Sequence, residues 1–382
     1  MTKEQIVAIA NYTSTPFYLY DLNVVKDKVK QIKESLPNFN LLYSIKANPH
    51  PSIVNLLNRL GVGFDVASAN ELQIALSEGS DPNNIYYSAP GKTIDDLRFS
   101  INKCHIIADS LNELHNINSI AYSSESTLKV GIRLNIQNER MCQSTHEVMS
   151  GFPSKFGMNI EECSAINKKN FPYLEINGVH IYFGSQLLDV DLIWSNFHII
   201  ANQVLNLTKD YNIEFVNFGG GFGIPYEQSE QCIDVDQLSG LINEDSTIQK
   251  LFSTSIICNL ELGRFLVAEC GYFVSKIIDV KTSFNKKYAI IDGGMNAFYR
   301  PIMTGDFHDA IQFCSKGKPE LVTLVGRLCT PIDQYYDNFL LSPVSVGDLI
   351  AFRNAGAYGF SMSLLNFISY DKPKEIIIEG PL

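Results

Sequence analysis

The chain has 382 residues and a formal charge of −11, with 45 % hydrophobic and 19 % charged residues. That length suffices for one large domain and a smaller one, each with a core. The acidic balance speaks against a nucleic-acid partner, which needs a basic face to neutralise phosphates. Apolar runs fall well short of the ~20 residues of a membrane span. The first residues, "MTKEQIVAIANYTSTPFYLYD", contain too short an apolar run for a signal-peptide core, so no membrane partner is expected. Eight scattered cysteines without C-x-x-C and seven histidines without metal-ligand spacing fit a reduced, cytoplasmic chain with no metal centre.

Short apolar runs alternate with amphipathic stretches along most of the chain. In order they are "FNLLYSIKA" (39–47), "VGFDVAS" (62–68), "NIYYSAP" (84–90), "HIIAD" (105–109), "KVGIRLN" (129–135), "GVHIYF" (178–183), "FVNFGGG" (215–221) and "IICNLELG" (256–263). Segments such as "HPSIVNLLNRLG" and "WSNFHIIANQVLNLTKDY" lie between them and carry helical periodicity. Eight nearly all-apolar strands alternating with helices predict an α/β fold of the TIM-barrel, (β/α)₈ type. After about residue 270 the texture changes to strands joined by turns, as in "YFVSKIIDVKTSF", "ELVTLVG" and "EIIIEG". The expected division is a barrel over 25–270 and a β-rich domain, barrel or sandwich, built from 1–24 and 271–382.

Functional groups of such barrels sit at the C-terminal ends of the strands. Here those ends carry Lys46, Asp65, Arg133 with Asn135, Tyr182 followed by Gly184-Ser185-Gln186, the glycines Gly219, Gly220 and Gly221, and Glu261 followed by Gly263-Arg264. A glycine loop lets backbone N–H groups approach an anion, and Ser185 and Arg264 could complete a phosphate cradle. Taken alone, "FGGGFG" reads equally as a tight turn, and a single strand-end lysine as a solvated one. Together they suggest an aldehyde cofactor carrying a phosphate. Pyridoxal phosphate (PLP) is held in this way, as a lysine Schiff base, with a carboxylate such as Glu261 at its pyridine nitrogen. A low-polarity wall behind Lys46 is expected, because it would favour the neutral amine.

The chain resembles the fold-type III PLP decarboxylases, the family of the diaminopimelate, ornithine and arginine decarboxylases, over nearly its whole length. The likeness rests on "YSIKAN", "GFDVASANEL", "SKFGM", "GSQ", "GGGFG", "ELGR", "DGGMN", "GRLCTPID" and "NAGAYGFSMS". It implies an alanine-racemase-like two-domain plan and a homodimer with shared active sites. It also implies that Lys46 forms the Schiff base, that Ser185, the Gly219–Gly221 loop, Arg264 and Tyr358 bind the phosphate, and that Glu261 contacts the ring nitrogen. Cys329, from the partner subunit, is implied as the donor of the proton that replaces CO₂. The segment 135–158 has the look of a loop that covers the site.

Four departures from that family bear on substrate. Tyr182 stands where relatives stack a histidine on the cofactor, and Leu262 where a proline is usual. Thr330 follows the cysteine where relatives acting on free diamino acids have an acid, and Thr304 replaces a tyrosine of the diaminopimelate enzymes. A threonine offers no charge to a distal ammonium, whose burial costs several kcal/mol. The pattern is similar to the branch that decarboxylates conjugated amino acids, including citrylated diamino acids of siderophore assembly and carrier-bound aminoacyl groups. Arg300 would suit a distal carboxylate, or else form an ordinary salt bridge, whereas Asp333 could hold a free amine. Decarboxylation of free diaminopimelate, ornithine or lysine is therefore the alternative. A racemase is disfavoured by Glu261 at the ring nitrogen, and a degenerate regulatory binder by retention of Lys46, Glu261, Arg264 and Cys329.

Overall fold

The computed structural model describes residues 2–142, 148–227, 229–313 and 317–380. The chain forms two units, one of Lys28–Ile224 with Gln231–Phe265, the other of Met1–Asp27, Pro225–Glu230 and Leu266–Leu382.

The first strand, β1 (Phe17–Asp21), belongs to the second unit. The first unit is built on β2 (Asn40–Ser44), β3 (Gly63–Val66), β4 (Ile85–Ser88), β5 (His105–Ala108), β6 (Leu128–Arg133), β7 (Leu174–His180), β8 (Phe215–Gly220) and β9 (Ile257–Leu262). Each pairs in parallel with the next, and β9 returns to β2, so the sheet closes. Each strand overlaps a run expected from the sequence, although β7 begins at Leu174, four residues before the expected run 178–183. Closure removes the sheet edges, and helices between the strands cover the outer face, which is why the runs are apolar on both sides. Leu42, Tyr86, Ile107 and Phe215 form one core cluster of the barrel. A Cβ on Gly178 would lie 2.0 Å from the Phe215 ring, so this glycine is the space the ring fills.

The second unit continues with β10 (Gly271–Ser283), β11 (Lys286–Ile291), β12 (Ala310–Phe313), β13 (Glu320–Val325), β14 (Gln334–Leu341), β15 (Leu349–Phe352) and β16 (Lys374–Ile378). The sheet order is β12-β15-β10-β11-β13-β14, with β1 joined to β10 and β16. Its core gathers Phe17, Leu19, Val274, Ile311, Leu349, Ala351 and Ile378.

Candidate active site

β2 ends at Ser44 and the chain turns through a single 3₁₀ turn, Ile45–Ala47. Ile45 and Ala47 are buried, and the side chain of Lys46 between them stays 40 % exposed. The Tyr43 hydroxyl donates to the Asn48 carbonyl at 2.9 Å and pins the turn. Gly263 on the next strand end makes room for it: a Cβ there would stand 3.0 Å from Ala47 Cβ.

Lys46 Nζ lies 3.3 Å from Asp65 Oδ2 and 5.8 Å from the centre of the Tyr182 ring. This corrects the expectation of a low-polarity wall, because the amine faces a carboxylate and an aromatic face. Asp65 is buried and accepts from the Ser44 and Ser88 hydroxyls, each at 2.9 Å. Burial pushes its pKa up, but Lys46, His180 and the two serines outweigh that and hold it below the ordinary carboxylate value.

Glu261 is buried at the end of β9, with one oxygen 3.0 Å from His180 Nε2 and the other 2.9 Å from Asn217 Nδ2. Ser185 and Arg264 meet as well, Nη2 donating to Oγ at 3.3 Å. The loops that carry them are stitched by backbone bonds, Leu187 N–H to the Gly221 carbonyl at 2.9 Å and Gly223 N–H to the Leu187 carbonyl at 2.8 Å. The Gln186 side chain adds a two-point clasp on Ile224, accepting from its N–H and donating to its carbonyl. Gly219 and Gly221 have positive φ (62° and 72°). A Cβ on Gly219 would strike Tyr182 at 2.6 Å, and one on Gly221 the Gly184 carbonyl at 1.9 Å. Gly220 is equally confined, with the Glu261 carbonyl 2.1 Å from its would-be Cβ. The glycine loop is thus a close approach of three strand ends, as an anion cradle needs.

Arg133 is engaged differently. Its guanidinium pairs with Asp109 at 3.4 Å and lies over the Phe156 ring at 4.6 Å. The other Asp109 oxygen accepts the Gly157 N–H, and Asn135 takes the Gly151 N–H, which tie the "SKFGM" segment to the barrel. Arg133 Nε is buried with no hydrogen-bond partner among the described residues. Of the expected covering loop 135–158, residues 143–147 lie outside the described residues.

In the second unit, Cys329 is exposed and Thr330 half-buried. Two residues expected at the substrate have partners inside this unit. Asp333 is 3 % exposed, and its two oxygens accept the Met295 and Leu328 N–H groups at 2.7 and 2.9 Å. Gly294 and Gly326 are glycines because a Cβ on either would lie within 2.6 Å of that carboxylate. "DGGMN" and "GRLCTPID" are therefore the seat of Asp333, which organises the loop. Arg300, also 3 % exposed, pairs with Asp306 at 2.5 Å, and its guanidinium lies 5.4 Å from the rings of both Tyr226 and Tyr358. Of the two expectations for Arg300, the salt bridge is the one observed. Tyr358 adopts a left-handed φ of 57°.

The barrel end therefore offers a lysine amine, a phosphate cradle and a carboxylate held between two side-chain donors. This set fits PLP: an aldehyde for Lys46, a phosphate for the glycine loop with Ser185 and Arg264, and a ring nitrogen for Glu261. Sequence reasoning missed His180, Asn217 and Asp109. The first two were visible as polar residues inside the apolar runs "GVHIYF" and "FVNFGGG".

Comparison with known proteins gives the same class. Residues 22–268 match the model of the pyridoxal-dependent decarboxylase family, pyridoxal binding domain. The chain belongs to this family: it is a PLP-dependent carboxy-lyase of the diaminopimelate/ornithine decarboxylase group. It is 31 % identical to diaminopimelate decarboxylase of Campylobacter jejuni, over 96 % of this chain and 91 % of that one. It is 30 % identical to L-glutamyl-[BtrI acyl-carrier protein] decarboxylase of Niallia circulans, over 99 % and 92 %. It is also 30 % identical to 2-[(L-alanin-3-ylcarbamoyl)methyl]-2-hydroxybutanedioate decarboxylase of Staphylococcus aureus, over 94 % and 93 %. The solved diaminopimelate decarboxylase of Helicobacter pylori in complex with L-lysine superposes with a TM-score of 0.88 at 29 % identity, covering 98 % of this chain and 94 % of that one.

Proposed function

We propose that this decarboxylase removes the α-carboxylate of a diamino acid whose distal amine is already acylated, most specifically a citrylated one of the N-citrylornithine type in carboxylate siderophore assembly. The observation that carries this is the state of the loop after Cys329. Thr330 is neutral, and the acid nearest it in sequence, Asp333, has both oxygens committed to backbone N–H groups. A free distal ammonium would find no carboxylate in that loop and would be desolvated without compensation. An amide in its place carries no charge and asks only for hydrogen bonds. Two of the relatives above are named for conjugated substrates, one of them a hydroxybutanedioate amide of aminoalanine, which supports the same direction.

Bound PLP supplies an electron-accepting ring that takes up the pair left when CO₂ departs. The residues divide the remaining work. Lys46 Nζ carries the cofactor, and Asp65, 3.3 Å away, accepts or holds its proton. Ser185, Arg264 and the Gly219–Gly221 loop anchor the phosphate, with Tyr358 as a further contact. Tyr182 would lie against the cofactor ring, and Glu261 would hold the proton on its nitrogen. Cys329 Sγ, from a second copy of the chain in a homodimer, returns a proton to Cα.

The test is CO₂ release by PLP-loaded protein on N-citrylornithine, free ornithine, free lysine and meso-diaminopimelate. Turnover of the citryl conjugate with little or none of the free amino acids is expected. Turnover of a free diamino acid alone contradicts the conjugate assignment and supports the diaminopimelate or ornithine/lysine alternative. Turnover only of a carrier-bound aminoacyl group would move the assignment to that class.

A further inference from the structure

Barrel interiors are filled by layers of branched apolar side chains. One layer of this barrel departs from that rule. His180 on β7, Asn217 on β8, Asn259 on β9 and Asn40 on β2 are lateral neighbours in the register of four adjacent strands. His180, Asn217 and Asn259 are fully buried. Buried polar groups cost stability unless each is paired, so a polar layer here calls for a cause.

Their hydrogen bonds run in one direction. Asn40 Nδ2 donates to Asn259 Oδ1 at 3.0 Å, and Asn259 Nδ2 donates to Asn217 Oδ1 at 2.6 Å. Asn217 Nδ2 then donates to Glu261 Oε1 at 2.9 Å. Aligned amides polarise one another, which strengthens the last N–H in the chain. On the other side His180 Nε2 lies 3.0 Å from Glu261 Oε2. A carboxylate only accepts, so Nε2 carries the proton. His180 Nδ1 is buried with no hydrogen-bond partner among the described residues.

We propose that His180 and the Asn217–Asn259–Asn40 amide chain are positioning residues for Glu261, gripping its two oxygens so that the carboxylate is held toward the ring nitrogen of PLP. Apolar residues in their place would leave the carboxylate free to turn. The other titratable groups that act on this cluster are Asp65, with Lys46 beyond it, and Tyr86, whose phenol lies against Asn259 and is held protonated by burial.

The test uses the full-length protein and three readouts that need no substrate: PLP affinity, the pH titration of the bound cofactor's absorbance, and the Tm of the apoprotein. His180→Leu should weaken PLP binding about ten- to hundredfold, the range for losing a hydrogen bond to a charged group. It should also shift the absorbance titration by about one pH unit or more. His180→Gln, whose amide can donate from nearly the same place, should recover most of both. Asn40→Ala lies at the half-buried start of β2 and serves if His180→Leu does not fold; it should weaken PLP about two- to fivefold through the shortened chain. Wild-type affinity with an unshifted titration in His180→Leu, whatever its Tm, would overturn the proposal. So would His180→Gln behaving like His180→Leu, or, where His180→Leu does not fold, an unchanged Asn40→Ala.

Discussion

The barrel end and the loops of the β-rich unit hold comparable sets of charged and aromatic side chains but use them in opposite ways. At the barrel end the polar groups converge and stay available. Lys46 is partly open beside Asp65, and Glu261 is gripped by His180 and Asn217. In the β-rich unit the charged side chains are consumed internally, Asp333 by two backbone N–H groups and Arg300 by Asp306. What remains presented there is a thiol, Cys329, and a neutral hydroxyl, Thr330. Charge is presented at the barrel end and consumed internally in the β-rich unit.

Four substitutions would break or sharpen that contrast. The largest effect is expected at the barrel end: Lys46→Ala should lose the visible absorbance of the lysine-bound cofactor and bring CO₂ release below detection. An active, coloured variant would mean that the cofactor is held elsewhere. Next comes Cys329→Ala, which should retain PLP but slow turnover by about 10²–10⁴-fold, the usual contribution of a proton donor, or misdirect protonation. Product analysis with unchanged rate and product would remove Cys329 from the reaction.

Smaller effects separate the two carboxylates. Asp65 has a folded-state pKa below the 3.8 of a free aspartate. Its contribution to stability is therefore complete above that value and is lost as pH falls through the folded one. As pH falls below about 4 the wild-type apoprotein should lose more stability than Asp65→Asn, as read by urea unfolding at each pH; parallel curves would show that Asp65 is not held in its charged form. Asp333→Ala should cost about 1–3 kcal/mol, because the Met295 and Leu328 N–H groups would be left buried and unpaired. Its ratio of kcat/KM between acylated and free diamino acids should stay unchanged. A shift of that ratio would return Asp333 to the substrate.

Much of the barrel was legible in the sequence because strand-end chemistry follows from local position. The run "FNLLYSIKA" places Lys46 where β2 stops, and "FVNFGGG" and "IICNLELG" place the glycine loop and Glu261 on adjacent strands. The partners of Glu261 were not legible. His180 reaches it across an intervening strand, a contact that exists only once β7, β8 and β9 are in register. The β-rich unit was less legible still. The role of Asp333 depends on Gly294 and Gly326 coming up against its carboxylate from distant parts of the chain, and no spacing within "CTPID" announces that. The same holds for Arg300, whose partner Asp306 is set by the turn between them.

The most direct measurement of the central claim is borohydride reduction of the PLP-loaded protein, which fixes the cofactor to the amine that holds it, followed by mass spectrometry of the peptides. The account predicts one pyridoxyl-phosphate addition, on the peptide containing Lys46. Addition at another lysine, or none, would contradict the placement of the active site at the end of β2.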